Sequence, residues 1–270
     1  MDSMIDTISL STRNGVFRVA ERGPKEAPVL LLSNSLGTTL EMWAEQLAVF
    51  SETYRVVCYD TRGHGGSPVT PGPYSFDLLG EDVLSIMDAL NVDKAAICGV
   101  SMGGHTALWL AANAAERFTG IAVCNSAAKI GTAEAWGARA ATVRESGKDA
   151  MQALAASSPE RWFSANFINA EPDLVARAQA WIASINPEGY AACCEALATS
   201  DLRDKLAGIK LPTLLVAGEY DPVTTVADAE FMRQAIAGSQ LVSVPASHLS
   251  NIEAPQAFNQ ALASFLSSLG

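Results

Sequence analysis

The stretch Gly99-Val100-Ser101-Met102-Gly103-Gly104 has the pattern G-x-S-x-G and follows directly on the apolar run Ala95-Ala96-Ile97-Cys98. A strand, a sharp turn and a helix at this spacing hold the central serine in an unfavourable backbone conformation with its hydroxyl projecting, so the flanking positions must lack bulk. The helix N-terminus beyond it supplies backbone N–H groups and a positive dipole end where negative charge develops during acyl transfer. Ser101 is therefore the candidate nucleophile. A serine hydroxyl is inert at neutral pH and needs a base, and the chain has three histidines. His105 falls inside the helix after Ser101, where it packs or caps. His64 sits in the glycine-rich loop Asp60-Thr61-Arg62-Gly63-His64-Gly65-Gly66-Ser67, which is expected to order local structure, for instance through an Asp60–Arg62 pair. His248, in Pro245-Ala246-Ser247-His248, comes just after the last strand-like run and is the candidate base.

The acid should follow the penultimate strand. Leu214-Leu215-Val216-Ala217-Gly218 ends in Glu219-Tyr220-Asp221-Pro222, which makes Asp221 the candidate to orient His248 and stabilise its imidazolium, with Glu219 as the local rival. Loops at the C-terminal ends of parallel strands gather on one edge of a sheet, so three residues this far apart in sequence can meet there. Two inward N–H groups are needed for the oxyanion. One is expected from Met102, the residue after the nucleophile, and the other from Leu36 in the loop Ser33-Asn34-Ser35-Leu36-Gly37.

The elements that must position these residues read as alternating strands and helices, hence βαβ units and a largely parallel sheet. Ile5–Leu10 and Val16–Ala20, separated by Arg13-Asn14-Gly15, predict an opening hairpin. Pro28–Ser33, Tyr54–Asp60, Ala95–Gly99 and Gly120–Cys124 are continuous apolar runs, as strands covered on both faces should be. Helices are expected near Leu40–Phe50, Ser75–Leu90 and Met102–Asn113. Strands resume at Leu214–Val216 and Leu241–Val244, and a closing helix runs through Ala257–Leu269. From about Ser126 to Leu206 strand-like runs stop and Ala-rich amphipathic stretches with Trp136, Trp162 and Trp181 replace them. The chain thus divides into a core of residues 1–125 and 207–270 and a helical lid of residues 126–206 inserted in it.

Bulk properties narrow the function. With 49% hydrophobic and 17% charged residues the composition is that of a folded globular chain, and no apolar run reaches the roughly 18 residues that cross a bilayer. The net charge of −11 repels phosphate backbones and anionic lipid, which argues against nucleic-acid and membrane partners. The N-terminal Met1-Asp2-Ser3-Met4-Ile5-Asp6 carries acid where a secretory leader carries Lys or Arg, and five cysteines, with Cys193 and Cys194 adjacent, suit reduced thiols. Both point to the cytoplasm. Three scattered histidines and no paired cysteine motif imply no zinc site, and no cofactor is expected.

With these residues in hand, the chain resembles the α/β-hydrolases over its whole length. More narrowly it resembles the 3-oxoadipate enol-lactonases, through Ser33-Asn34-Ser35-Leu36-Gly37-Thr38, Tyr59-Asp60-Thr61-Arg62-Gly63-His64-Gly65, Cys98-Gly99-Val100-Ser101-Met102-Gly103-Gly104, Ala127-Ala128-Lys129-Ile130-Gly131-Thr132 and His248-Leu249-Ser250-Asn251-Ile252-Glu253. The resemblance implies an α/β-hydrolase fold with an inserted helical lid and a small anionic lactone as substrate, opened through an acyl-enzyme. Asn34-Ser35, in place of the His-Gly of other relatives, and the Ala127–Thr132 stretch carry the narrower likeness. Ser101 stands where haloalkane dehalogenases have Asp, and Leu36-Gly37 departs from the Pro that cofactor-free perhydrolases carry. A carboxylate-bearing lactone in a protein of charge −11 needs a local cation. Arg139, three residues after Trp136 and on the same helix face, is expected to pair with that carboxylate, while Trp136 walls the ring and donates through its indole N–H. Lys129 is a lesser candidate. Two further readings stay open: another serine hydrolase, such as a small-ester esterase or a carbon–carbon bond hydrolase, and a non-catalytic binder on the same scaffold.

Overall fold

Runs such as Leu30-Leu31-Leu32 and Val56-Val57-Cys58 are apolar at every position because both faces of their strands are covered. In the computed structural model, which describes residues 5–269, alternate side chains enter two different cores. Leu30, Leu32, Val56, Cys58, Cys98, Cys124, Leu214 and Val216 face one; Leu31, Val57, Ile97, Ile121, Val123 and Leu215 face the other. The period-two geometry of a strand sorts a uniform run into two layers.

The sheet has eight strands: β1 (Ile8–Thr12), β2 (Gly15–Arg22), β3 (Val29–Ser33), β4 (Arg55–Tyr59), β5 (Ala95–Val100), β6 (Phe118–Cys124), β7 (Thr213–Gly218) and β8 (Gln240–Val244). Their order is β1-β2-β4-β3-β5-β6-β7-β8. The β1–β2 and β2–β4 pairs are antiparallel and the others parallel. This is the expected mostly parallel sheet, flanked by helices. The opening hairpin starts later than Ile5 and runs to Thr12. Its two-residue loop is Arg13-Asn14, with Thr12 paired to Gly15 and the Thr12 hydroxyl donating to the Gly15 carbonyl at 3.0 Å.

Helices α1 (Ala44–Phe50), α2 (Phe76–Ala89) and α3 (Met102–Asn113) connect the first strands. Between β6 and β7 the chain is helical, with α4 (Ala133–Ser157), α5 (Pro159–Trp162), α6 (Ala165–Ala170), α7 (Pro172–Ser184) and α8 (Pro187–Thr199). The α4 helix kinks at Gly147, whose φ of 55° is a conformation that only glycine adopts without strain. Ala140, Met151, Trp162, Ile182 and Tyr190 from these helices share one core with the sheet face that carries Leu32 and Val216. The chain ends with α9 (Val226–Ala235), α10 (Ser250–Glu253) and α11 (Pro255–Ser267). Of these, α9 and the short α10 are not among the helices expected from the sequence; α9 is a surface helix that buries Ala229 and Met232 alone. Among the described residues no helix is long and apolar enough to cross a membrane. Met1–Met4, on which the reading of the N-terminus rests in part, and Gly270 lie outside the described residues.

Candidate active site

Ser101 lies between β5 and α3 with φ 57° and ψ −117°, in the left-handed half of the backbone map that a non-glycine residue occupies only under constraint. The constraint is visible. Its N–H donates to the Cys124 carbonyl at 2.9 Å, and its carbonyl accepts from the Ser126 hydroxyl at 2.7 Å. A Cβ on Gly99 would fall 2.2 Å from the Gly103 carbonyl, and one on Gly103 would fall 2.0 Å from the Ser33 carbonyl oxygen. Bulk at either site would push apart the strand, turn and helix that hold the serine.

Asp221 and His248 meet at the C-terminal ends of β7 and β8. The His248 Nδ1 donates to Asp221 Oδ2 at 2.8 Å, which leaves Nε2 free of the acid. The same Oδ2 accepts from the Thr224 hydroxyl at 2.9 Å and from Asn125 Nδ2 at 3.0 Å, while Oδ1 accepts the backbone N–H groups of Val223 and Thr224. Burial by itself would raise this carboxyl. The charge of His248 and the donated hydrogen bonds outweigh it and hold the group below the usual aspartate value, so it stays ionised. Glu219 is exposed, and among the described residues no hydrogen bond or ion pair links it to His248. Among the described residues no hydrogen bond joins the Ser101 hydroxyl to His248, yet both line one cavity of about 210 Å³. Serine–histidine bonds often tighten only around a bound substrate.

Leu36 also lines this cavity. Nothing among the described residues accepts its N–H, and the Met102 N–H, at the first position of α3, has no intrahelical partner. The turn that presents Leu36 is held from behind. Gly37, at φ 82°, donates its N–H to His64 Nε2 at 3.0 Å, and His64 Nδ1 faces the Arg62 carbonyl at 3.3 Å. Burial brings His64 down to about 4, so the ring is neutral and can accept. The proposed Asp60–Arg62 pair does not form. Asp60 instead accepts from the Leu40 and Gly66 N–H groups and from Arg18, and Arg62 points into α2 to make a buried two-point pair with Asp82 at 2.6 Å. His105 packs on Phe76 and ties the Ala127 carbonyl to the Ser200 hydroxyl, at 2.8 and 2.7 Å.

The far wall of the cavity comes from the helices between β6 and β7: Trp136, Arg139, Arg161, Trp162 and Tyr190. Arg139 stacks over the Trp136 ring, with its guanidinium carbon 4.8 Å from the centroid. The Trp136 indole is not the free donor that the sequence suggests. The Trp136 indole N–H donates to the Ile130 carbonyl at 2.6 Å, which the turn at Gly131 (φ 64°) leaves within reach of the indole nitrogen. Trp136 therefore walls the cavity without a free donor. Lys129 is drawn to Asp201, 3.6 Å away, and does not line the cavity. Sequence reasoning missed Asn125, Thr224 and Arg161. Asn125, at the C-terminal end of β6, stands on the ligand-binding edge and was detectable on that ground; Arg161, after a short Pro159-Glu160 helix start, gave no comparable signal.

A strained serine at a strand–helix turn, a carboxylate-bound histidine and a cavity that both of them line define a hydrolase site. Residues 28–255 match the model of the α/β-hydrolase fold family, and the chain belongs to it. It is 48% identical over 268 residues to 3-oxoadipate enol-lactonase 1 of Acinetobacter baylyi, covering 99% of each chain. It is 47% identical over 254 residues to 3-oxoadipate enol-lactonase 2 of the same organism, covering 94% of each. The crystal structure of the enol-lactonase from Burkholderia xenovorans LB400 matches it with a TM-score of 0.92 at 41% identity, covering 97% of this chain and 100% of that one.

Proposed function

We propose that the protein hydrolyses 3-oxoadipate enol-lactone to 3-oxoadipate, with Ser101 as nucleophile, His248 as base, Asp221 as orienting acid and the Leu36 and Met102 amides as oxyanion donors. The observation that carries the reading is one cavity lined both by Ser101 and His248 and by Arg139, an arginine with no carboxylate partner among the described residues. Ser101 Oγ attacks the ring carbonyl as His248 takes its proton. The tetrahedral oxyanion lies on the two amides, the ring C–O bond breaks and the enolate leaves more readily than an alkoxide would. His248 passes the proton to the departing enolate oxygen, giving the enol. It then takes a proton from the water that attacks the acyl-enzyme carbonyl and returns it to Ser101 Oγ as that bond breaks and frees the acid, while the enol relaxes to the ketone. Residues 126–206 act as a lid on a core to which, among the described residues, 5–125 and 207–269 belong. All five cysteines are free and buried, in keeping with a reducing compartment such as the cytoplasm.

The test is kcat/KM for the enol-lactone against a neutral aryl ester such as p-nitrophenyl acetate. The lactone should be strongly preferred; turnover of the ester with none of the lactone would hand the site to a general esterase, and turnover of neither would leave a binder. Arg139→Ala should lower the lactone-to-ester ratio of kcat/KM by about 2 kcal/mol, roughly 30-fold, the scale of a hydrogen bond to a charged group. An unchanged ratio would mean that Arg139 supports the helix and does not read the carboxylate.

A further inference from the structure

Arg161 enters the cavity beside Arg139 and is half-buried, with its Nη1 hydrogen-bonded to the Ser157 hydroxyl at 3.1 Å. Several other arginines of the chain meet acids: Arg62 meets Asp82, Arg144 meets Glu188 and Glu195, and Arg203 meets Asp201. No carboxylate of the described residues lies within ion-pair distance of Arg161 or Arg139. Both are close enough to the Tyr190 phenol for their charges to act on it. Burial, and then the field of Arg139, pull the Arg161 guanidinium below its ordinary value, as expected of two like charges held together without a counterion. In a protein of net charge −11, with 29 acidic residues, these two arginines line the same cavity as Ser101.

We infer that Arg161 is a second specificity-determining residue, forming with Arg139 a paired-guanidinium site that grips one carboxylate of the substrate. Two planar forks meeting the two oxygens of one carboxylate select an anionic acyl compound over a neutral one of the same shape. Arg161 is also placed to pass that grip towards the base. Trp162, its neighbour, accepts the Leu249 N–H at 3.0 Å, one residue from His248, and Glu253 accepts from both Ser247 (2.8 Å) and Ser164 (3.2 Å). Losing Arg161 should therefore raise KM for the lactone and lower kcat as well.

This deepens the enol-lactonase reading, so the test has an arm that needs no lactone. Adipate, a dicarboxylate, serves as competitive inhibitor of p-nitrophenyl acetate hydrolysis in wild type, Arg161→Gln, Arg161→Lys, Arg139→Gln and the double Gln variant. The pair predicts a rise of at least about tenfold in the adipate inhibition constant for Arg161→Gln and a smaller one for Arg161→Lys, which keeps the charge without the fork. The double variant should lose less than the product of the single losses, because both arginines hold one group. On the lactone, the ratio of kcat/KM to that for the ester should fall by at least about tenfold in Arg161→Gln. If Arg161→Gln does not fold, Arg161→Lys decides. An unaltered inhibition constant, no inhibition of wild type by adipate, or equal losses on both substrates would overturn the inference. A wild type that is inhibited by adipate but leaves the lactone intact would refute the enol-lactonase reading and leave the arginine pair standing.

Discussion

Replacing Ser101 with alanine should abolish lactone opening, with kcat falling on the order of 10⁴-fold or more, because no acyl-enzyme can form and the oxyanion amides alone provide only the residual catalysis. The fold should survive the change. Alanine keeps the Cβ, so the strain at φ 57° is neither added nor relieved, and the backbone bonds to Cys124 and Ser126 do not involve the hydroxyl. An unfolding temperature close to wild type, beside this loss of rate, separates a chemical role from a structural one. Activity above about a hundredth of wild type would remove Ser101 from the mechanism.

Asp221→Asn carries the second large effect, on rate and on stability together. Oδ2 of Asp221 collects donors from His248, Thr224 and Asn125, and Oδ1 collects two backbone N–H groups. An amide cannot satisfy both sides. Whichever way it is turned, its NH₂ meets a donor, and if it meets Nδ1 it favours the tautomer in which Nε2 carries the proton and cannot act as base. The rate should fall about 10⁴-fold, and a mismatched buried donor should cost about 1–3 kcal/mol of stability. Glu219→Gln changes an exposed side chain, and its effect should stay within about 0.5 kcal/mol. Kinetics and urea unfolding of the two variants check both halves, and a reversal of the two outcomes would give the acid role to Glu219.

The legible parts of this protein are those where local chemistry and chain order agree. Each β3–β7 strand declares itself by an uninterrupted apolar run, since a strand buried on both faces has no polar side to show. The elbow declares itself because two backbone approaches near 2 Å leave glycine as the sole choice at 99 and 103. His248 and Asp221 could be chosen because both follow a strand on the edge where loops collect. The illegible parts are contacts made across long stretches of chain. Asn125 meets a carboxylate 96 residues on, Arg62 prefers Asp82 to Asp60, which is nearer in sequence, and Arg161 reaches the cavity from α5, whose Trp162 carbonyl accepts the Leu249 N–H of the histidine loop. The indole of Trp136 was lost to a local carbonyl by a single glycine turn. Helix α9 was overlooked although Thr225 and Asp228 form a capping box, because its outward face gives little apolar periodicity.

The most direct test of the account is to follow turnover of 3-oxoadipate enol-lactone while the purified protein is titrated with a fluorophosphonate, a reagent that labels activated serines. The account predicts that lactone turnover declines in step with the label, reaching zero at one equivalent, that the label lies on the peptide carrying Ser101, and that excess lactone slows its attachment. Lactone turnover that survives full labelling of Ser101, or a label that silences the enzyme from any other residue, would contradict it.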